Sequence, residues 1–322
     1  MSFWHNLPKY FTVLAPMEEV TDTVFRQVVQ SCGHPNVMFT EFTSCEGIQS
    51  VGQSKVIHRL KYDERERPIV AQVWGITPED YFKTAKLIHE LGFDGIDINM
   101  GCPVKKIIKK GACSALIKNP NLAKEIILAT KEGAKNLPVS IKTRIGFSNI
   151  DTENWCSFLL SECKPAILTV HGRTVKEESK VPNHWDEIAK VVNLRNQIQE
   201  NLSHENQTLI VGNGDIQTLN EANLKAKTYG LDGIMIGRGV LKNPWIFNPL
   251  MQIENITKQE RLEKLLFHLK LWQETWLDTR PYPPLKRFFK VYINGFEGAA
   301  ELRARLMETK SVEEAIGIVR ES

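Results

Sequence analysis

A (β/α)8 TIM barrel followed by a small all-helical segment is the α/β fold this sequence predicts, and three observations predict it. Up to residue 245 or so, short apolar runs alternate with amphipathic stretches at intervals of roughly 30 residues. Each run is continuously apolar, as parallel strands covered on both faces are. Eight such units within about 240 residues match the length of a closed eight-stranded barrel. A doubly wound open sheet is the competing arrangement. It carries G-x-G-x-x-G after its first strand, and here that position reads APMEEVTD. The expected domains are 1–245 for the barrel and 246–322 for the helices.

In chain order, the predicted strands are 12–15, 37–40, 69–73, 95–98, 139–142, 166–170, 208–211 and 233–236. The clearest helix is 78–91: Thr77 suits the N-cap, Pro78 the first helical position, and Phe82, Ala85, Leu87, Ile88 and Leu91 form one apolar stripe before Gly92. A second, from Asn119, repeats this logic and ends near Gly133. The polar segment 193–206 reads as an extended connection before the seventh strand. From about Gln252 strand signals stop, and 258–277, 297–307 and 312–320 read as helices. Between the first two, RPYPPLKRFFKVYING ends one helix at its prolines, and its basic-aromatic run begins another.

Composition narrows the function class. With 42% hydrophobic and 25% charged residues, neither a disordered nor a fibrous chain is indicated. No apolar run approaches the roughly 20 residues that span a bilayer, and no signal peptide is read at the start. Six cysteines without a C-x-x-C pair fit reduced thiols and a cytoplasmic protein. A net charge of +3 is too small to point to a polyanion, so the distribution of charge matters more.

In a barrel the working face lies at the C-terminal ends of the strands. There this chain places Pro16 and Met17, Glu41, Gln72, Asn99 and Cys102, then Lys142 and Arg144, His171 and Arg173, Asn213 to Asp215, and Gly237 to Gly239. The turns VGNGD and IGRG let backbone N–H groups approach an anion, and the loops after strands seven and eight commonly hold phosphate in this fold. Arg238 adds charge, and a helix starting after strand eight would add its positive end. Lys142 in an apolar mouth needs an anionic partner or must give up its proton. The edge of a reduced flavin would serve, with Gln72 bonding its pyrimidine side.

These motifs together resemble the tRNA-dihydrouridine synthases, flavin enzymes that reduce uridines of transfer RNA. The resemblance rests on LAPMEEVTD, TEFTSCEGI, AQVWG, DGIDINMGCP, SIKTRIG, VHGRT, VGNGDI and GIMIGRG in order, and on the tail KRFFKVYINGFEGAAELRARLMETKS. It implies FMN as cofactor, with Pro16, Met17 and Glu18 beside the ring and Gln72, Lys142 and His171 on its polar edge. Asn213, Gly214, Asp215, Gly237 and Arg238 would hold the ribityl chain and phosphate. It also implies NADPH as electron donor and tRNA as partner, with Asn99, Arg144 and Arg173 at the substrate base. Cys102 is the implied catalytic acid: hydride reaches uracil C6 from flavin N5, and the thiol protonates C5. An ordinary thiol, with a pKa of about 8.5, is mostly protonated at neutral pH.

The target base must leave its stack to enter a barrel mouth, and the surrounding RNA needs a grip. The cations expected at its backbone are Lys105, Lys106, Lys109, Lys110, Arg280, Lys286, Arg287, Lys290, Arg303 and Arg305. Phe288, Phe289 and Tyr292 read as helix core rather than as stacking platforms. Cys32, Cys45, Cys113, Cys156 and Cys163 read as small buried apolar residues, no metal site is expected, and a monomer is. The chain departs from the family at Glu19, where glycine is usual, at 111–116 and in the loop 176–185.

Overall fold

A computed structural model describes residues 2–322. Eight parallel strands form a closed ring: β1 (Phe11–Leu14), β2 (Val37–Phe39), β3 (Ile69–Trp74), β4 (Gly95–Met100), β5 (Val139–Arg144), β6 (Ile167–His171), β7 (Leu209–Asn213) and β8 (Gly233–Ile236). Closure is made by β1, which pairs with β2 on one side and along its whole length with β8 on the other (Phe11 opposite Gly233, Leu14 opposite Ile236). The open sheet is thereby ruled out. A two-residue strand, Thr43–Ser44, pairs beside the end of β3.

The expected strands are all present, and β4, β5 and β7 run two residues further toward the mouth than predicted. Asn99, Arg144 and Asn213 therefore stand on strand ends, fixed by ladder hydrogen bonds, rather than on loops. Alternation along each strand sends one set of side chains outward to the helices and the other into the barrel. The lower interior is apolar, filled by Phe11, Val13, Val37, Phe39, Val70, Ile167, Val211 and Met235, with Trp4 buried beneath them. Higher up, β4 and β5 carry Asp97, Asn99, Ser140, Lys142 and Arg144 between outward-facing Ile96, Ile98 and Ile141.

The long helices are α1 (Thr23–Cys32), α2 (Pro78–Glu90), α3 (Pro120–Ala134), α4 (Thr152–Phe158), α5 (Trp185–Ile198), α6 (Leu219–Tyr229), α7 (Lys258–Trp276), α8 (Ala299–Glu308) and α9 (Val312–Arg320). The predicted extended connection 193–206 is corrected: its first six residues are the last turns of α5. That helix buries Ile188, Val191, Val192 and Arg195 at helical spacing, and a short 3-10 turn at His204–Asn206 follows. Helices α2 and α3 pack closely at Gly133, where a β-carbon would sit 2.2 Å from the Phe82 carbonyl oxygen.

The C-terminal helices sit against α1. Phe25 meets Phe288 at 4.8 Å between ring centroids, and fully buried His268 bonds the Tyr292 hydroxyl through Nδ1 at 2.8 Å. Phe288, Phe289 and Tyr292 are all buried, as read from the sequence. The basic-aromatic run forms two short turns, Pro283–Phe288 and Phe289–Tyr292, rather than one helix. One apolar core continues from the barrel helices into this segment.

Candidate active site

A cavity of about 510 Å³ opens at the C-terminal ends of the strands. It is lined by Ala15, Pro16, Met17 and Met235 on its apolar side, and by Lys142, His171, Asn213, Gly214, Asp215, Gly237, Arg238 and Lys242 on its polar side. Every residue expected at the cofactor lines it except Glu18 and Gln72. Glu18 is held by Arg59 through Oε1, at 2.7 and 3.1 Å. Gln72 lies deeper, bonded within the protein. A second cavity, of about 460 Å³, lies at the other end of the barrel among Trp4, His5, Tyr10, Phe11 and His204. It holds none of the strand-end residues.

The turn after β7 is built for close approach. Gly214 has φ +136°, and a β-carbon there would collide with the Asn183 side-chain amide at 2.2 Å. Asp215 has φ +55°, and its carboxylate takes Arg238 at 3.2 Å on Oδ1 and pairs with Arg173. Arg173 also donates to the Val181 carbonyl at 2.7 Å. Arg173 is thus engaged by Asp215 and the Val181 carbonyl within the protein. After β8 only a single helical turn follows, Gly239–Lys242, so the expected helix end is one turn long.

On the opposite side of the mouth the Cys102 loop is held at several points. Asn99 Oδ1 accepts the N–H groups of Gly101 (3.1 Å) and Cys102 (3.0 Å), while its Nδ2 donates to Gln72 Oε1 (2.9 Å). Ser114 Oγ donates to the Cys102 carbonyl at 2.7 Å. Arg144 donates through Nε to the Gly101 carbonyl at 2.8 Å and through one Nη to the carbonyls of Thr174 and Glu178. The loop 176–185 therefore carries acceptors for both Arg144 and Arg173.

The electrostatics of the mouth follow from burial and crowded cations. Burial, with Arg144 nearby, brings Lys142 down to about 8. Burial and the same cations hold His171 well below its ordinary value, so its ring is neutral at physiological pH. Cys102 corrects a sequence expectation. A hydrogen bond from the Cys113 thiol, against the opposing effect of burial, together with the Val104 N–H, Arg144 and Lys142, lowers it to about 7. A larger share of thiolate at neutral pH follows than an ordinary thiol would have. Lys105, Lys106, Lys109 and Lys110 are exposed, and the cations that lower the thiol are Arg144 and Lys142. Cys113 is buried as expected, with its own thiol pushed well up by burial. Its adjacency to Cys102 had no signal in the spacing.

Sequence reasoning also passed over buried carboxylates, Asp97 and Asp22 among them. Asp97 is fully buried in β4 and raised to about 6 by burial. Its position between Ile96 and Ile98 was the available signal. Asp22 caps α1, accepting from the Phe25 N–H at 2.9 Å, and pairs with Arg280 at 2.8 Å.

Several expected RNA contacts are engaged within the chain. Arg280 pairs with Asp22 and lies over the rings of Trp272 and Trp276. Arg287 bonds the carboxylate and carbonyl of Glu19 (2.9 and 3.0 Å), Arg303 donates to the Ile293 carbonyl, and Lys286 to that of Met307. Arg305 lies 3.6 Å from Glu321, and Lys290 is exposed. Among the described residues no group of His, Cys, Asp and Glu side chains could hold a metal ion, and no helix is long and apolar enough to cross a membrane.

Comparison with known proteins agrees over nearly the whole chain. The family described as "Dihydrouridine synthase (Dus)" matches residues 13–321. A "Probable tRNA-dihydrouridine synthase" of Staphylococcus aureus (strain COL) is 44% identical over 323 residues, covering 99% of this chain and 95% of that protein. A "Probable tRNA-dihydrouridine synthase 2" of Bacillus subtilis (strain 168) is 45% identical over 316 residues, covering 97% and 94%. Among solved structures, a 2-naphthoyl-CoA reductase complex aligns with a TM-score of 0.50 at 8% identity, covering 73% of this chain and 49% of that one, a likeness of fold alone.

Proposed function

The chain belongs to the dihydrouridine synthase family, and on that premise we propose that it reduces particular uridines of transfer RNA to 5,6-dihydrouridine, with FMN as resident cofactor and NADPH as electron donor. The observation that carries the reading is the composition of the mouth: an apolar wall, a polar side with a buried lysine, a glycine turn flanked by Arg238 and Lys242, and a thiol loop that feels the same lysine. The donor set suits a flavin mononucleotide, and the cavity is within the usual range of ligand sites, about 300–1,000 Å³. Met17 and Pro16 would cover the ring, Lys142 would face its anionic edge, and Arg238 and Lys242 would neutralise the phosphate. Reduced FMN, when bound, supplies a hydride to uracil C6.

The chain's own residues supply the rest. Asn99 and Arg144 would hold the base and draw charge onto its carbonyl as the C5–C6 double bond is reduced. Cys102 then gives its proton to C5, leaving a thiolate that Arg144 and Lys142 stabilise until solvent reprotonates it. Lys105, Lys106, Lys109 and Lys110 would meet the RNA backbone. The proposed setting is the cytoplasm, and the proposed state a monomer.

Purified protein should be yellow. Given NADPH, it should add two hydrogens to uridine in unmodified tRNA, read by mass mapping, while leaving free uracil unchanged. A colourless protein, or one that reduces free uracil and leaves tRNA untouched, would contradict the reading.

A further inference from the structure

Asp97 has no exposed surface and no place in the reaction as described. Its two carboxylate oxygens nonetheless have separate partners. Ser140 Oγ donates to Oδ1 at 2.6 Å, and Gln72 Nε2 donates to Oδ2 at 2.7 Å. The run continues from Gln72 Oε1 to Asn99 Nδ2, and from Asn99 Oδ1 to the backbone N–H groups of Gly101 and Cys102. Gln72, Asp97 and Ser140 are direct register partners on β3, β4 and β5, so the barrel itself aligns them.

The sense of this run is forced from one end. Backbone N–H groups only donate, so Asn99 must offer them its oxygen and turn its nitrogen to Gln72. Gln72 must then accept with its oxygen and donate with its nitrogen. The last partner must accept, and an ionised carboxylate can do nothing else. Replace it with an apolar side chain and the Gln72 amide is left with a buried donor unpaired. Turning both amides over would pass that mismatch to the loop end, where Asn99 Nδ2 would face the Gly101 and Cys102 N–H groups and the loop would lose its acceptor.

We propose that Asp97 is a positioning residue for Cys102, acting through Gln72 and Asn99 to hold the thiol loop in its working geometry. The proposal rests on the proposed function for the importance of Cys102, but it can be read without RNA or turnover. The thiol is surrounded by Cys113, the Val104 N–H, Arg144 and Lys142. Asn99 is one of three side chains, with Ser114 and Arg144, that hold residues 101–102 among those contacts, and the only one of the three reached by the run from Asp97.

The test is alkylation of Cys102 by iodoacetamide as a function of pH in the purified protein. The other five cysteines are buried, so one site reports. In the unaltered protein the midpoint should lie at about 7. Asp97→Leu should move it up toward the ordinary thiol value of about 8.5, slowing alkylation at pH 7 roughly tenfold. An unchanged or lowered midpoint overturns the proposal; because Asp97 also helps keep Lys142 protonated, a rise must recur in a variant that leaves every charge in place. A second variant decides the matter if Asp97→Leu does not fold. Gln72→Met cuts the run between Asp97 and Asn99 without changing any charge, and should raise the midpoint as Asp97→Leu does. An unchanged or lowered midpoint in Gln72→Met contradicts the relay. Loss of the proposed tRNA reaction would leave this result untouched, so the two readings fail separately.

Discussion

Lys105, Lys106, Lys109 and Lys110 stand exposed beside the Cys102 loop with no carboxylate paired to them among the described residues, whereas Arg280, Arg287 and Arg303 in the C-terminal segment are held by acceptors of the protein itself. In the sequence the two groups read alike, as local excesses of positive charge suited to RNA. In the fold they differ because of what lies within reach. The lysines follow Pro103 on a short turn facing solvent. Arg280 and Arg287 lie along a seam where α1 supplies Asp22 at its N-cap and Glu19, ahead of that cap, supplies a second carboxylate, while Arg303 finds the Ile293 carbonyl within its own segment. A cation within reach of an acceptor is engaged by the protein itself; one without remains free for a polyanion.

That contrast can be broken by substitution. Arg280→Ala should have the largest effect at the seam. It leaves Asp22, 6% exposed on its side chain, without its partner and strips a cation from two tryptophan rings. Breaking a mostly buried pair costs about 3 kcal/mol, so the midpoint of thermal or urea unfolding should fall clearly. An unchanged midpoint would move Arg280 back among the free cations. Next in size is alanine at all four lysines. Stability should hold, while tRNA affinity drops about tenfold and the slope of log affinity against log salt flattens by as much as 3–4. If affinity and slope stay put, the RNA contacts lie elsewhere. Glu19→Gly should be nearly neutral. It relieves a residue at φ +57°, a gain of about 0.5–1 kcal/mol. It also removes a solvent-exposed pair with Arg287 worth about as much. Unfolding midpoints differing by more than about 1 kcal/mol would show that one of these two contributions has been misjudged.

How far the sequence could be read depended on the kind of signal each part carries. The strands were legible because an apolar run buried on both faces leaves a pattern in a few residues, and Gly214 and Gly237 marked their turns. Helix α5 was obscured because its outer face is polar, and Arg195, which packs inward and donates to the Thr208 carbonyl at 2.7 Å, reads as a surface residue. Asp97 and Cys113 were passed over for a different reason. Their importance lies in contacts between strands and loops far apart in the chain, with Ser140, Gln72 and Cys102. The seam arginines belong to the same category. Composition reports how many charges a segment has and nothing about the carboxylate that another segment brings to them.

The lowered thiol of Cys102 has a directional consequence for catalysis. A proton donor works only in its protonated form, so turnover of tRNA should fall as pH rises through about 7. The most direct test of the account is Cys102→Ala, measured as dihydrouridine formed in unmodified tRNA at pH 6.5 beside flavin content and RNA binding. The account predicts a yellow, RNA-binding protein whose turnover is lower by about 100-fold or more. Turnover within a fewfold of the unaltered protein would contradict it.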